Sequence, residues 1–203
     1  MHISLDSALG RPPRLIGESV FGIAPNAAAA YSLRSLTGGD PRVVRVRRSS
    51  DDSEQDFTVS EINSGALVAF VGSGNDGFVE TWYDQSGSDN VTQSTSSKQP
   101  KIVNAGALLQ DASGNPYLEF DGTDDFYNIN KTTFRNVSYG YVSAVAQYDD
   151  TTAVNEPVYY ASGGTSGTQS RALLGKINSS GAKFVAGARR LDSDAFRSSA
   201  ETS

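Results

Sequence analysis

Four aspartates are the side chains best suited to chemistry, because all of them fall in polar turns that follow predicted strands. Asp84 opens the turn 84–87, and Asp121, Asp124 and Asp125 lie in a second turn. A glycosidase holds two carboxyl groups across a sugar, about 5 Å apart for retention and about 6.5–9.5 Å apart for inversion. Acids in turns also serve a simpler purpose, since their oxygens accept hydrogen bonds from nearby backbone N–H groups. Both interpretations stay open, and we predict that the chain is not an enzyme.

The second turn also has the chemistry of a cation site. Carboxylate oxygens are ligands that calcium prefers, and Asp121, Asp124 and Asp125 would supply three of them. The turn lacks the ligand spacing of an EF-hand loop, and a plain turn explains the same residues. We therefore predict no cofactor, with calcium at these three aspartates as the alternative.

Aromatic residues accompany both turns. Trp82 and Tyr83 are neighbours on a predicted strand and should point to opposite faces of its sheet. An exposed ring would pack against the C–H face of a sugar, whereas a buried ring would belong to the sheet core. We predict a glycan-binding surface made of these rings and the polar residues beside them: Trp82, Tyr83, Asp84, Gln85, Asp124, Asp125 and Tyr127.

Several other chemistries are excluded by residue types. The chain has no cysteine and a single histidine, His2, so neither a thiolate site nor a histidine-based triad or zinc site is predicted. The glycine-rich run 72–77 has no strand–loop–helix context and is not a nucleotide-binding loop.

The charge distribution argues against nucleic acid and membrane partners. The net charge is −6, and the basic run that contains Arg45 and Arg47 is followed at once by acids such as Asp52 and Asp56. Mutual pairing of these charges, either as a structural network or as weak surface ion pairs, is more plausible than a phosphate-binding surface. No run of about 18 apolar residues is present, so no membrane insertion is predicted.

Hydrophobic periodicity predicts an all-β fold with one helix. Asn26 would cap a short helix over residues 27–36, which Gly38 and Gly39 would end. The following segments are short and mostly alternate in polarity, with turn residues between them and no interleaved helices. We predict an antiparallel β-sandwich of the jelly-roll type from residues 44–46, 66–71, 78–83, 101–103, 117–120, 139–148, 157–161, 171–177 and 183–188.

The two ends of the chain differ from this pattern. Residues 1–24 form an extended arm with a stiff proline pair and an apolar cluster of Leu15, Ile16, Val20, Phe21 and Ile23. This arm either packs on its own domain or docks into a partner, and we predict a docking arm. Residues 25–203 would form the sandwich domain, which has no closing strand in the tail 192–203 and is possibly incomplete there.

Three motifs in order resemble a known enzyme family. They are the segment 30–34, the arginine-rich strand and acidic turn 45–56, and Thr81-Trp82-Tyr83-Asp84-Gln85-Ser86-Gly87. Together they resemble the catalytic domain of fungal-type α-L-arabinofuranosidases, a concanavalin A-like sandwich that recurs in bacteriophage tail, neck and fibre proteins. The run 118–125 resembles a strand and turn of laminin-G-like domains. The family's vicinal cysteines and downstream catalytic carboxylates have no match here. The resemblance therefore implies either the fold without the activity, or a catalytic portion that lies beyond Ser203.

These observations predict a structural virion protein. The absence of cysteines and of a signal peptide suggests synthesis in a host cytoplasm, and the resemblance suggests an appendage that projects from the particle. The arm would bind other virion proteins, the sandwich would bind cell-surface polysaccharide, and a homo-oligomer, first a trimer, is expected. The alternatives are an arabinofuranosidase-like hydrolase and a purely architectural capsid decoration or collar protein.

Overall fold

Antiparallel β-sheet dominates the described part of the chain. The computed structural model describes residues 27–87, 89–129 and 144–147, and the backbone of strands 156–163, 170–178, 182–189 and 197–200. The chain forms two compact units, Met1–Asn136 and Val137–Ser203. The all-β prediction is confirmed at this level. The predicted docking arm, including Leu15, Ile16, Val20, Phe21 and Ile23, lies outside the described residues.

The first unit contains a six-stranded antiparallel sheet. Its order is β2-β1-β3-β5-β6, and β4 pairs with β3. The strands are β1 (Arg42–Arg48), β2 (Glu54–Thr58), β3 (Gly77–Trp82), β4 (Val91–Thr92), β5 (Lys101–Asn104) and β6 (Ala107–Leu108). A single-turn 3-10 helix, Ser96–Lys98, joins β4 to β5. The predicted strands near residues 44, 78 and 101 are therefore confirmed.

Alternation along the central strand explains the core of this sheet. In β3 every second residue is buried, so that Val79 faces the core while Phe78 and Glu80 are partly exposed. Irregular register in β1, between Arg42 and Val44, accompanies two successive buried residues, Val43 and Val44. The cluster also contains fully buried residues from β1, β2, β5 and two helices: Val46, Phe57, Ile62, Leu67, Val71, Ile102 and Val103.

Two short helices between β2 and β3 correct the prediction that no helices interrupt the strands. In α1 (Val59–Asn63), Thr58 and Glu61 form a capping box, each side chain bonded to the other residue's backbone N–H. The apolar run Ala66–Val71 forms α2 rather than an extended segment. Its Leu67 and Val71 lie one helical turn apart, so both side chains reach the core. A six-residue apolar run can bury its side chains as a helix or as a strand, and the sequence pattern does not distinguish the two.

The helix predicted over residues 27–36 is wrong, since the described residues there form no helix. Their backbone groups bond to distant residues instead of to one another. Ala30 N–H donates to the Asp84 carboxylate, Leu36 N–H donates to the Gln85 amide oxygen, and the Gln85 amide nitrogen donates to the carbonyls of Ser32 and Arg34. These bonds replace the i→i−4 ladder that a helix requires, so tertiary contacts override local propensity.

The second unit contains a four-stranded antiparallel sheet in the order β10-β9-β8-β7. The strands are β7 (Glu156–Gly163), β8 (Ser170–Asn178), β9 (Ala182–Arg189) and β10 (Arg197–Ala200). The first three confirm the predicted strands at 157–161, 171–177 and 183–188. The tail predicted to lack a strand instead contributes β10, because pairing with β9 satisfies backbone groups of a polar segment that shows no hydrophobic pattern.

Two further predicted strands are not formed in the residues that the structure describes. Of the run 139–148, residues 144–147 are described; they are exposed and in no strand, because alternation predicts faces but does not provide a pairing partner. In the run 117–120, Glu119 exchanges two backbone hydrogen bonds with Lys101, of 2.9 Å each, as an isolated bridge. Among the described residues, no helix is long and apolar enough to cross a membrane.

Candidate functional site

Asp84 ties the turn after β3 to a segment far away in the chain. The Asp84 carboxylate is 8% exposed and accepts hydrogen bonds from the N–H groups of Ala30 (2.8 Å), Ser86 (2.8 Å) and Asp89 (3.2 Å), and from the Ser86 hydroxyl (2.7 Å). Burial raises the pKa of Asp84, but these hydrogen bonds outweigh burial and hold the pKa below its usual value. Both carboxylate oxygens are therefore engaged inside the protein.

Gln85 completes this connection, which we call the Asp84–Gln85 staple. Its side-chain oxygen accepts from Leu36 N–H at 2.8 Å, and its nitrogen donates to the carbonyls of Ser32 at 2.9 Å and Arg34 at 2.8 Å. Its backbone N–H donates to the Ala30 carbonyl at 2.8 Å. One amide thus satisfies three backbone groups of a segment that forms no helix or strand of its own.

Trp82 belongs to a row of aromatic rings beside the staple. Its ring centroid lies 5.7 Å from that of Tyr31 and 6.3 Å from that of Tyr127, whose ring in turn lies 6.1 Å from Phe120. Among the buried side-chain nitrogen and oxygen atoms of the described residues, Trp82 Nε1 is the one without a hydrogen-bond partner. Such an orphaned donor costs about 1–3 kcal/mol, which the ring packing must offset.

Both tyrosines of this row use their hydroxyl groups internally. Tyr127 donates to the Val79 carbonyl at 2.6 Å, and Tyr31 donates to the Asp89 carbonyl. Burial raises the pKa of both phenols, with Asp84 and Asp89 adding to the effect at Tyr31, and Glu80 and Asp125 at Tyr127. The two hydroxyls therefore stay protonated and fix the positions of their rings.

Tyr83 lies in a different environment from Trp82. Its hydroxyl donates to Asp56 Oδ1 at 2.7 Å, and the Arg42 guanidinium carbon lies 4.5 Å from its ring centroid. Asp56 also accepts from Arg45 Nε at 2.8 Å and from Arg42 Nη1 at 2.8 Å. Burial raises the pKa of Tyr83, and the bond to Asp56 raises it further. Tyr83 is thus part of an ion-pair network that connects β1 and β2.

Asp124 and Asp125 lie in a turn whose hydrogen bonds are local. Asp121 Oδ1 accepts from the N–H groups of Thr123 (2.8 Å), Asp124 (3.1 Å) and Asp125 (3.3 Å), and Asp125 Oδ2 accepts from Asp121 N–H at 3.0 Å. Carboxylate oxygens of the three aspartates lie within 4.8 Å of one another. Burial, Asp121 and Asp124 raise the pKa of Asp125, although a bond from Asp121 N–H opposes them. The three acids could hold a cation, but their internal bonds also explain the turn without one.

Two phenylalanines on either side of this turn were missed by the sequence prediction. Phe120 is 44% exposed and Phe126 is 42% exposed, values that are high for large apolar side chains. The only hint in the sequence is that both residues flank the acidic run directly. We call residues 120–126 the aromatic–acidic turn, which presents two exposed rings and three carboxylates on one short stretch.

Hydrogen bonds to other parts of the chain fix the aromatic–acidic turn at both ends. On one side, the backbone of Glu119 is bonded to that of Lys101. On the other, Gln93 Nε2 donates to the Phe126 carbonyl at 3.0 Å. Lys98 lies across the turn, 3.6 Å from Asp124 Oδ2 and 5.6 Å from the Phe126 ring centroid. The exposed rings therefore project from a fixed backbone.

The seven predicted glycan-binding residues fall into separate groups. Trp82 and Tyr127 are in ring contact, and Tyr127 follows Asp124 and Asp125 at the end of the aromatic–acidic turn. Asp84 and Gln85 bond to the segment 30–36, while Tyr83 joins the arginine network. The chain matches no protein-family model, and comparisons with curated proteins and with solved structures find no match. The arabinofuranosidase resemblance therefore stays a prediction from the sequence.

Proposed function

We propose that the protein is a non-enzymatic, lectin-like component of a virion appendage that binds host-surface polysaccharide through the aromatic–acidic turn. The observation that carries the proposal is the pair of exposed rings, Phe120 and Phe126, beside three carboxylates. Exposed aromatic surface next to a few polar groups is typical of binding sites, since the apolar part supplies affinity and the polar part fixes orientation.

The chemistry of this turn suits a sugar. The C–H faces of a pyranose ring are apolar and pack on an aromatic face, while its hydroxyl groups donate hydrogen bonds. The Asp124 and Asp125 carboxylates would accept such bonds, and bonds to a charged acceptor are stronger than neutral ones. Tyr127 packs edge-on against Phe120, and Trp82 packs against Tyr127, so these two rings hold the Phe120 ring in place.

The fixed backbone of the turn favours binding. Ordering a mobile loop on binding costs free energy, so that a preformed site binds more tightly than a mobile one with the same contacts. The turn is held by the backbone bonds of Glu119 to Lys101, the bond from Gln93 to the Phe126 carbonyl and the bond from Tyr127 to the Val79 carbonyl.

The arrangement of carboxylates supports a binding role over hydrolysis. Asp84, the most buried acid among the residues whose burial is described, accepts four internal hydrogen bonds. Asp121, Asp124 and Asp125 share one turn, whereas a glycosidase places its two carboxyls on opposite sides of the scissile bond. We expect no cleavage of aryl arabinofuranosides. Turnover that disappears in a folded Asp125→Asn variant would contradict this part of the proposal.

The larger architecture belongs to the same proposal. We expect a concanavalin A-like β-sandwich of the jelly-roll type, an arm 1–24 that docks into another virion protein, and a protein that acts as a homotrimer. The lack of cysteine in 203 residues fits synthesis in a host cytoplasm. Deletion of residues 1–24 should leave a folded domain that no longer assembles. Unfolding of the truncated protein would instead place the arm in the core.

The site is tested by glycan-array binding of the full chain and of single alanine variants. Phe120→Ala and Phe126→Ala should each weaken binding by about tenfold, equivalent to about 1.4 kcal/mol. Tyr117→Ala is the matched control, because Tyr117 is similarly exposed, at 40%, but lies outside the turn. Circular dichroism checks that all variants fold. Equal losses in the control, or unchanged binding by both phenylalanine variants, would refute the site, and the absence of any glycan signal would favour a purely architectural role.

A further inference from the structure

Two glutamines of the segment that joins β4 to β5 are buried, although glutamine is mostly a surface residue. Gln93 directly follows β4 and is 7% exposed, and Gln99 lies shortly before β5 and is 3% exposed. A buried amide lowers stability unless its oxygen and its nitrogen are both hydrogen-bonded. The position of these two amides therefore needs a physical reason, and their hydrogen bonds supply one.

The two amides form a connected row of hydrogen bonds that ends at the aromatic–acidic turn. Arg47 Nε of β1 donates to Gln99 Oε1 at 2.8 Å, and Gln99 Nε2 donates to the Gln93 carbonyl at 2.7 Å. Gln93 Nε2 then donates to the Phe126 carbonyl at 3.0 Å. Each donor faces an acceptor, so only one orientation of each amide satisfies the row. We call these four residues the glutamine relay.

The segment between the two glutamines is itself fixed to the sheet. The Arg47 side chain is 12% exposed, and its Nη2 donates to the Ser96 carbonyl at 3.3 Å. Lys98, from the same segment, has its Nζ 5.6 Å from the centroid of the Phe126 ring. Gln93 and Lys98 therefore contact the backbone and the ring of Phe126 from one support, which β1 holds in place.

We propose that Gln93 and Gln99 are positioning residues for glycan binding: through the glutamine relay they fix the backbone of Phe126, and with it the direction in which the Phe126 ring meets a sugar. Gln99 acts through Gln93, since the hydrogen bonds of its amide go to Arg47 and to the Gln93 carbonyl. A binding ring that is already held in place loses less conformational freedom on binding. This inference rests on the proposed glycan-binding function and adds the residues that prepare its site.

A purely structural role for the two amides is the rival explanation. In that case the amides stabilise the fold, and any variant that still folds binds glycan as well as the wild type does. In a positioning role, binding falls even where the fold is intact. The two explanations are therefore separated by variants that remove the hydrogen bonds of the relay and keep the fold.

The test compares the full chain with Gln93→Met and Gln99→Met on the glycan array, with circular dichroism as the check on folding. Methionine is unbranched like glutamine but cannot donate a hydrogen bond. Each variant should weaken binding by about fivefold, the effect of one net hydrogen bond. Amide hydrogen exchange at Asp124 and Asp125 should accelerate without any glycan. The double variant should lose little more than either single one, because both act through the Phe126 carbonyl.

Asn75→Ala is the matched control for stability. Asn75 Nδ2 donates to the Val71 carbonyl at 3.0 Å, so this variant breaks an amide-to-carbonyl bond outside the relay and outside the turn. We expect it to change glycan binding by less than about twofold. An equal loss of binding in Asn75→Ala would show that lowered stability weakens binding, and it would overturn the inference.

Gln93→Glu distinguishes the donor from the packing of the side chain. At pH 7 the new carboxylate has the length of glutamine but no donor for the Phe126 carbonyl, whereas a protonated carboxyl can donate. Burial raises the pKa of such a carboxyl, so binding relative to the wild type should recover as the pH falls from 7 to about 5. Comparison at each pH removes the titration of Asp124 and Asp125. An affinity ratio that does not change with pH would contradict the positioning role.

Unchanged binding and unchanged exchange in the folded methionine variants would likewise overturn the inference. If Gln99→Met does not fold, Gln99→Glu keeps the bond to Arg47 and removes only the donor to the Gln93 carbonyl, and we expect weaker binding there too. Failure of the proposed function is seen separately, as unchanged array binding in Phe120→Ala and Phe126→Ala. Loss of binding in those two variants, with full binding in both glutamine variants, would keep the proposed site and refute the positioning role.

Discussion

The turns at Asp84 and Asp121 use one chemistry over very different distances along the chain. In both, an aspartate oxygen accepts several backbone N–H groups. Asp84 reaches Ala30, which is 54 residues away, whereas Asp121 bonds to residues two to four positions ahead of it. Asp84 is 8% exposed, and the aromatic–acidic turn is largely exposed. The first carboxylate connects two distant parts of the chain, and the second shapes a local, exposed turn.

The largest expected effect is the loss of stability in Asp84→Ala. The variant breaks the bonds that the Asp84 carboxylate accepts from the N–H groups of Ala30 and Asp89. Bonds to a charged group are worth about 1.5–3 kcal/mol each, so we expect a loss of about 3 kcal/mol. Urea unfolding followed by the fluorescence of Trp82, the only tryptophan, measures it. Asp121→Ala should lose about 1 kcal/mol because its partners remain exposed to water. Equal losses in the two variants would erase the distinction between the turns.

The second prediction concerns Gln85→Ala, which should lower the free energy of unfolding by about 2 kcal/mol. Removal of the amide breaks its bonds to Leu36 N–H and to the carbonyls of Ser32 and Arg34. Hydrogen exchange of the Leu36 amide should accelerate, while amides in β5 stay protected. Gln110→Ala serves as the control, because that side chain bonds only to the local Gly114 carbonyl. An unchanged exchange rate at Leu36 would show that the staple does not hold the segment.

Acid should lower the free energy of unfolding because it protonates Asp84 in the Asp84–Gln85 staple. The pKa of Asp84 in the folded chain lies below its unfolded value of about 3.9. A lowered pKa contributes stability above the unfolded pKa, and this contribution is lost as the pH falls through the folded pKa. The free energy of unfolding should therefore decline below about pH 4, and less steeply in Asp84→Asn than in the wild type. Identical pH dependence in both proteins would place the acid-sensitive groups elsewhere.

The smallest expected effect has the opposite sign and comes from the aromatic–acidic turn. The pKa of Asp125 is raised, so the ionised form is disfavoured in the folded chain, and the stability that Asp125 contributes when protonated is lost as the pH rises. Asp125→Asn should stabilise the protein at pH 7 by about 0.5 kcal/mol, and the difference should vanish below about pH 3.9. Destabilisation at pH 7 would show that the ionised carboxylate is needed to hold the turn.

Sequence patterns predicted the sheets better than the connections between them. Alternation located β1, β3 and β5 of the first sheet, and β7, β8 and β9 of the second. The helix prediction over residues 27–36 failed because local propensity carries no information about Gln85, whose amide bonds to that segment from about 50 residues away. The capping box of Thr58 and Glu61 was a visible signal for α1 that the strand pattern obscured.

The sequence prediction placed seven residues in one glycan-binding surface, whereas the structure places them in different environments. Residue chemistry grouped Asp124, Asp125 and Tyr127 in that predicted surface. It did not separate them from Asp84 and Gln85, because exposed and buried acids in turns look alike in a sequence. Phe120 and Phe126 were missed because burial of a ring depends on what packs over it, which one-dimensional periodicity does not show.

The sequence by itself determined the residue types and the period-two segments, and through them an acidic, cysteine-free and largely β chain. Only the tertiary structure decided which aspartate is buried and which is exposed. It also decided that Arg171 and Arg189 are register partners. The physical reason is that alternation is a local property of the backbone, whereas burial and strand register arise when segments distant in the chain come together.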